Sequence, residues 1–156
     1  MKKILKALIA AAAVLSITVL AGCTLFEHKT TLVNTQVAGA KTTMVYYTKR
    51  NSDKVQQQSL TSENDLTKLI GSKKKKDLDS AYNSLKKSVN SYKGLKGVTT
   101  KVTRKGNTVT QNITIDYTKV DMQKLKDAQG LDKGTKNTVS LKDSVNTLKA
   151  AGFKEQ

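Results

Sequence analysis

Hydrophobic and polar positions alternate along part of this chain with the two-residue period of a β-strand. In residues 108–117 the large apolar side chains share one side of the predicted strand: Val109, Ile113, Ile115 and Tyr117. Thr, Asn and Asp residues occupy the other side, so the pattern predicts an antiparallel strand with one wet face. Residues 98–104 form a matching segment, and Gly106 between the two supplies the positive φ of a tight turn. Residues 98–117 are therefore predicted to be a β-hairpin.

A second hairpin is predicted earlier in the chain. Residues 41–49 and 54–60 flank a short connection, residues 50–53, in which Asn, Ser and Asp favour a tight turn. Residues 30–37 are rich in β-branched side chains and are predicted to form an edge strand. Three strands are thus expected before the first helix.

The next segment has the period of a helix. Ser72 is a suitable N-cap, and the apolar positions then recur at helical spacing: Leu78, Ala81, Tyr82, Leu85, Val89 and Tyr92. Gly94 is suited to the left-handed conformation that ends a helix, with Leu95 folding back onto the last turn. The pattern predicts one long amphipathic helix.

Two shorter helices are predicted near the C-terminus. Asp121 caps the first, and Val120 and Leu125 are spaced as a hydrophobic staple. After a loop of residues 130–137, Ser140 and Asp143 resemble a capping box, and an apolar stripe follows: Leu141, Val145, Leu148 and Ala151. Gly152 ends this helix, and Phe153 is placed to pack on Leu148 as in a Schellman motif.

The element order is βββ, α, ββ, α, α, which predicts an α+β domain. We expect one antiparallel sheet of about five strands with the helices on one face. A chain of 156 residues, of which 37% are hydrophobic, suffices for a single core. Residues 30–156 are predicted to form that domain.

The N-terminal segment has the pattern of a signal peptide. Lys2, Lys3 and Lys6 precede an apolar run, residues 7–19, that is too short for a typical transmembrane helix. The run ends in Leu-Ala-Gly-Cys, residues 20–23, which resembles the lipobox of bacterial prolipoproteins. This resemblance implies a lipid on the thiol of Cys23 and cleavage between Gly22 and Cys23.

Three segments follow from that resemblance. Residues 1–22 are expected to be a lipoprotein signal peptide, and residues 23–29 a lipidated tether. The lipid anchors the chain to the extracytoplasmic face of the cell membrane. Cys23 is the single cysteine of the chain, so an intrachain disulfide is excluded.

The charge balance favours anionic partners. The chain has 28 Lys and Arg residues against 12 Asp and Glu residues, a formal net charge of +16. Such a charge attracts polyanions, and anionic lipid and anionic wall polymer are the partners expected at a membrane surface. Net charge alone selects neither, and a lysine-rich solvated surface without a dedicated ligand gives the same composition.

One run of lysines is the candidate anion contact: Lys73, Lys74, Lys75 and Lys76. It lies at the N-terminal end of the long predicted helix, where the macrodipole disfavours positive charge. The run therefore indicates either an anion site or solvated lysines on an exposed turn that Asp77 and Asp79 partly offset.

No pattern in the chain indicates an enzyme, a metal site or a cofactor. His28, the single histidine, falls on the predicted tether, where it is not held in fixed geometry as a catalytic base. Two carboxylate pairs, Asp77 with Asp79 and Asp116 with Asp121, are candidates for acid–base chemistry, and both are interpreted as helix-start and sheet-surface acids. We expect no catalytic residues, no metal and no cofactor.

The tyrosines and glycines do not indicate a specific nucleic-acid or nucleotide partner. Tyr82 and Tyr92 have the spacing of core residues rather than of a base-stacking surface. The glycines lack the spacing of a phosphate-binding loop. Tyr46 and Tyr47 must point to opposite faces of their strand, so one of them is the best aromatic candidate for a ligand contact.

Three stretches resemble the YehR-like family of uncharacterised bacterial lipoproteins: residues 92–98 (YKGLKGV), 115–121 (IDYTKVD) and 139–155 (from VSLK through AGFKE). The resemblance spans most of residues 20–156 and implies an α+β fold and a surface-lipoprotein address. The resemblance implies no particular activity and no binding residues. Cys23 is the single residue that it matches to a role.

Two functions are expected from these observations. The first is a membrane-anchored, non-enzymatic envelope protein whose basic domain contacts anionic ligands or surfaces. The alternative is a small-molecule or peptide binding accessory protein with a pocket between sheet and helices.

Overall fold

A computed structural model describes residues 28–131 and 137–156 of the chain. Its strands are β1 (His28–Asn34), β2 (Ala40–Thr48), β3 (Val55–Asp65), β4 (Val98–Lys105), β5 (Thr108–Asp116) and β6 (Lys154–Glu155). Its helices are α1 (Leu66–Ile70), α2 (Lys75–Asn90), α3 (Met122–Gln129) and α4 (Leu141–Ala150). The predicted signal peptide, Gly22, Cys23 and residues 132–136 of the predicted loop lie outside the described residues.

The strands form one antiparallel sheet in the order β4-β5-β3-β2-β1-β6. The hairpins β2–β3 and β4–β5 are the two predicted from alternation, and pairing of β3 with β5 joins them. The α+β prediction is confirmed. The described sheet has six strands rather than about five, because the two-residue β6 pairs with β1 at Leu32 and Val33.

The second half of β3 and all of α1 were not predicted. β3 continues past Leu60 to Asp65, and its inward positions there are Ser62 and Asn64, both fully buried. Polar residues on the buried side erase the alternation that identifies a strand. Asp65 then caps α1 by accepting the Lys68 N–H at 3.2 Å.

Two element boundaries also differ from the prediction. β1 begins at His28, which pairs with Thr48, so the strand starts two residues before the predicted domain boundary. It ends at Asn34, whereas the prediction extended it to residue 37. α2 ends at Asn90, one turn before Gly94, and Gly94 has φ 84° in the turn that follows.

The core lies between the sheet and the helices, on one face of the sheet. α2 packs Leu78 and Leu85 against Val109, and Val89 against Ile113 and Ile115. α4 covers the other half through Val145 and Leu148, which pack against a buried cluster: Leu32, Met44, Tyr46, Val55 and Phe153. The described helices therefore cover the face that the alternation in β5 predicts to be buried.

The predicted C-terminal helix stop is confirmed. The Phe153 N–H donates to the Leu148 carbonyl and the Gly152 N–H to the Lys149 carbonyl, each at 3.0 Å, and Gly152 has φ 87°. This pair of bonds is the Schellman motif. The Phe153 side chain is buried, so the motif fixes the chain for its pairing in β6.

The domain has two opposite ends, which carry charged connections between its elements. The His28 end carries the start of β1 and the connections of residues 49–54, 91–97 and 117–121. The other, which we call the α2-start end, carries the connections of residues 35–39, 71–74 and 106–107. α2 runs between the two ends, and its 16 residues span about 24 Å.

Candidate functional site

The candidate anion contact lies at the α2-start end, where α1 is linked to α2. Gly71, with φ 64°, ends α1, and α2 begins at Lys75 after an N-cap position occupied by Lys74. The prediction of Ser72 as N-cap is wrong by two residues. The Ser72 hydroxyl instead accepts the Lys74 N–H at 3.2 Å and donates to Asp77 Oδ2 at 2.6 Å. Ser72 thus fixes the turn before α2.

The four lysines of the run are not equivalent. Lys75 Nζ lies 2.6 Å from Asp79 Oδ2, an ion pair at i, i+4 on the surface of α2. The other oxygen of Asp79 accepts from Arg104 Nη1 of β4 at 2.7 Å. The hydrogen bonds from Lys75 and then Arg104 hold the pKa of Asp79 below its ordinary value. Asp79 is therefore occupied by two cations.

Lys73, Lys74 and Lys76, which we call the lysine cluster, have no such compensation. All three are exposed, and none forms an ion pair within the described part of the chain. Asp77, the acid in the first turn of α2, accepts from the Ser72 hydroxyl instead. The cluster therefore presents positive charge directly to solvent.

The helix terminus adds to this positive field. Lys74 offers no side-chain oxygen to the first-turn N–H groups of α2. Uncapped N–H groups carry the positive end of the helix macrodipole. Cluster and terminus together form an electropositive corner suited to a flexible anion such as a phosphate-bearing polymer.

A depression of about 800 Å³ adjoins the cluster on the outer surface of α2. Residues of α2 alone line it: Lys75, Lys76, Asp79, Ser80, Asn83, Ser84 and Lys87. A depression with one helix as its wall has no opposing surface to enclose a small molecule. It is an open part of the α2 surface beside the lysine cluster.

Asp116 and Asp121, one of the two candidate acid–base pairs, each stabilise local structure instead. Asp116 accepts from the Thr118 N–H at 3.0 Å and pairs with Lys119 at 2.7 Å. Asp121 caps α3, as predicted, by accepting the N–H groups of Gln123 and Lys124.

Within residues 28–131 and 137–156, no cluster of His, Cys, Asp and Glu residues could hold a metal ion. His28 is exposed in β1 rather than in a tether.

The tyrosines divide between the two faces of the sheet. Tyr46 is buried under α4, where burial raises its pKa and a hydrogen bond to Ser144 opposes that shift. Tyr47 is half-buried on the face of the sheet that the described helices leave open, and burial raises its pKa. Tyr117 donates to Gln58 Oε1 at 2.7 Å, and burial raises its pKa strongly. Tyr47 is therefore the tyrosine of the predicted pair that a ligand on the open face would meet.

A row of buried polar groups beneath α2 was missed by the sequence reasoning. Asn64 Nδ2 donates to Ser62 Oγ at 2.9 Å, and Gln111 Nε2 donates to the Leu85 carbonyl at 3.0 Å. Within the described residues the Oδ1 atom of Asn64 has no hydrogen-bond partner. The available signal was Gln111, which interrupts the apolar side of β5.

Comparison with known proteins places the chain in a family. Residues 29–154 match a family model described as a protein of unknown function, DUF1307. The chain belongs to the DUF1307 family. No curated protein matches it. The chain is also similar to the NMR structure of the E. coli YehR protein, with 27% identity and a TM-score of 0.65 over 85% of this chain and 93% of that one.

A second solved structure shares the fold alone. The NMR structure of a protein from Streptococcus pneumoniae TIGR4 has 15% identity and a TM-score of 0.53, covering 94% of this chain and 99% of that one. The match to the DUF1307 model and the similarity to YehR confirm the YehR-like resemblance inferred from the three sequence stretches. None of the helices described for this DUF1307 member is long and apolar enough to cross a bilayer.

Proposed function

We propose that this chain is a non-enzymatic envelope lipoprotein, held by a lipid on Cys23 at the extracytoplasmic face of the membrane. Its DUF1307 domain contacts an anionic polymer through the lysine cluster at the start of α2. The lipobox-like residues 20–23, preceded by a basic and then an apolar segment, support the anchor.

One observation carries the proposal for the domain. Lys73, Lys74 and Lys76 are exposed without an ion pair in the described structure, while Asp77 and Asp79 are each held by another group. These three cations lie within one turn, well inside a Debye length of about 8 Å, and Asp77 alone offsets them, so an anion feels a net positive charge.

The binding-accessory alternative needs a pocket with convergent polar groups between sheet and helices. The depression on α2 does not supply it, because α2 alone lines it. We therefore favour an extended anionic ligand over an enclosed small molecule.

Binding of inorganic polyphosphate tests the proposal. Among the described residues the first one buried in the core is Leu32, so the chain from residue 23 onward with Cys23→Ser retains the core that the structure describes. We expect salt-sensitive binding that falls about a hundredfold when Lys73, Lys74 and Lys76 are all replaced by Gln, at roughly 1 kcal/mol for each lysine lost from an anionic contact.

The control removes the same charge elsewhere. Lys101, Lys105 and Lys154 are exposed on the face of the sheet that α2 and α4 leave open. Replacing these three by Gln should change polyphosphate binding less than about twofold. Equal losses in the two triple variants would show that net charge alone binds the polymer and would contradict a dedicated contact.

A further inference from the structure

The His28 end of the domain carries a second basic surface. Lys49 and Lys54 flank the β2–β3 turn, and Lys93 and Lys96 lie in the connection between α2 and β4. All four are exposed, and none forms an ion pair within residues 28–131 or 137–156. We call these four residues the basal lysines.

The acids of the same end are mostly engaged. The Asp53 carboxylate accepts the Lys142 N–H at 2.8 Å, and hydrogen bonds from Ser140 and then Lys142 hold its pKa below the ordinary value. Asp116 pairs with Lys119, and Asp121 caps α3. These carboxylates and that of Asp143, exposed in the first turn of α4, keep their charge, but the four acids face the four basal lysines together with Arg50, Lys119 and Lys142. The surface is therefore positive overall.

The short segment before His28 limits how the domain can stand on a membrane. Five residue steps separate Cys23 from His28, and a fully extended chain covers at most about 18 Å in that length. α2 alone spans about 24 Å from one end of the domain to the other. An inverted domain, with the α2-start end on the lipid, would hold His28 farther from the bilayer than this segment can reach.

Resting on the lipid anchor proposed above, we infer that the His28 end faces the membrane and that the basal lysines contact its anionic lipid headgroups. The lysine cluster then stands about 24 Å farther out. That distance is about three Debye lengths at physiological ionic strength, so the headgroups do not neutralise it. The two basic surfaces accordingly serve different partners, the bilayer below and a polyanion beyond it.

Energy transfer from the protein to a headgroup dye tests this orientation. The full chain, processed and lipidated in cells, is reconstituted into vesicles containing phosphatidylglycerol. An added cysteine can be labelled selectively because the lipidated thiol of Cys23 no longer reacts. Ser91→Cys places the label at the His28 end, and Thr35→Cys places it at the α2-start end; both positions are exposed.

We expect transfer to be severalfold more efficient from position 91 than from position 35. Replacing Lys49, Lys54 and Lys96 by Gln should reduce that difference at least twofold, as should high salt. The lysine-cluster triple variant is the matched control and should leave it unchanged. Equal transfer from the two positions, or insensitivity to the basal lysines, would overturn the inference.

Failure of the inference is distinguishable from failure of the proposed function. A chain without lipid on Cys23 would refute the anchor and this orientation together, before any transfer is measured. A lipidated chain that lies on its side would refute the orientation alone. The polyphosphate experiment is made on unlipidated chain, so its result is independent of both.

Discussion

Arg104 of β4 donates a hydrogen bond from Nη1 to Oδ1 of Asp79 in α2, over a distance of 2.7 Å. The same guanidinium lies 5.3 Å from the centre of the Tyr82 ring, a cation–π contact. Arg104 thereby connects the edge strand to the first half of α2. It also occupies an acid that would otherwise offset the lysine cluster, so the contact links the stability of the fold to the charge of the candidate site.

The Asp79 contact predicts a pH dependence of stability. Because the folded-state pKa of Asp79 is lowered, its stabilising contribution is present above the unfolded value of about 3.9. The contribution is lost as the pH falls through the lower folded-state pKa. Asp79→Asn should therefore lower the melting temperature relative to the parent at pH 6. The difference in melting temperature between variant and parent should be smaller at pH 2.5.

Thermal unfolding followed by circular dichroism checks this. Introducing Arg104→Gln should weaken the effect of Asp79→Asn without removing it, because Lys75 still pairs with Asp79. A gap between parent and Asp79→Asn that is the same at both pH values would contradict the account of this contact.

Two glycines with positive φ provide a matched pair for the turn at the His28 end. A Cβ at Gly97 would lie 2.9 Å from the Val120 N and 3.0 Å from the Asp116 O, whereas a Cβ at Gly94 meets nothing within 4 Å. Both Ala variants bear the cost of a left-handed conformation, roughly 1–2 kcal/mol. Gly97→Ala should cost about 1–3 kcal/mol more, because its contacts are backbone atoms that cannot move aside.

Urea denaturation of both variants measures that difference in the free energy of unfolding. The comparison cancels the conformational cost that the two positions share. Equal losses in the free energy of unfolding would mean that residues 116–120 move away from a Cβ at position 97 without cost. That result would contradict their close packing on Gly97.

Local signals in the sequence predicted the ends of the later helices well. The caps at Asp121 and Ser140 and the stop at Gly152 depend on residues within one turn, and all three are present. The prediction of Ser72 as the N-cap of α2 was wrong because serine hydrogen-bonds equally well in the turn that precedes a helix. Interactions with close neighbours in sequence are therefore the part of this fold that can be predicted.

Contacts between distant residues could not be predicted. The lysine run and its partial offset by Asp79, four residues after Lys75, could be predicted, but the second cation on Asp79 is Arg104, which lies 25 residues away. The second half of β3 was missed because Ser62 and Asn64 face the core, where the pattern predicts apolar residues. Besides the hydrogen bond between these two residues, Asn64 donates to Gln111 of β5, a partner that only tertiary packing supplies.

The buried polar row under α2 predicts a stability effect at a position that looks unimportant in sequence. Gln111→Ala removes the donor to the Leu85 carbonyl and one acceptor of Asn64. Leaving buried polar groups unsatisfied should lower the free energy of unfolding by about 1–3 kcal/mol. The exposed Gln123→Ala is the control and should change it by less than about 0.5 kcal/mol. Similar small losses in both would show that the row is dispensable.

The anchor at Cys23 is the central claim of this account, since both the proposed function and the inferred orientation depend on it. Mass spectrometry of the protein from the membrane fraction of its own cells measures it most directly. We predict a mature chain that starts at Cys23 with a diacylglyceryl group on the thiol, and release of a Cys23→Ser variant from the membrane. A chain that starts elsewhere, or an unmodified Cys23, would contradict the claim.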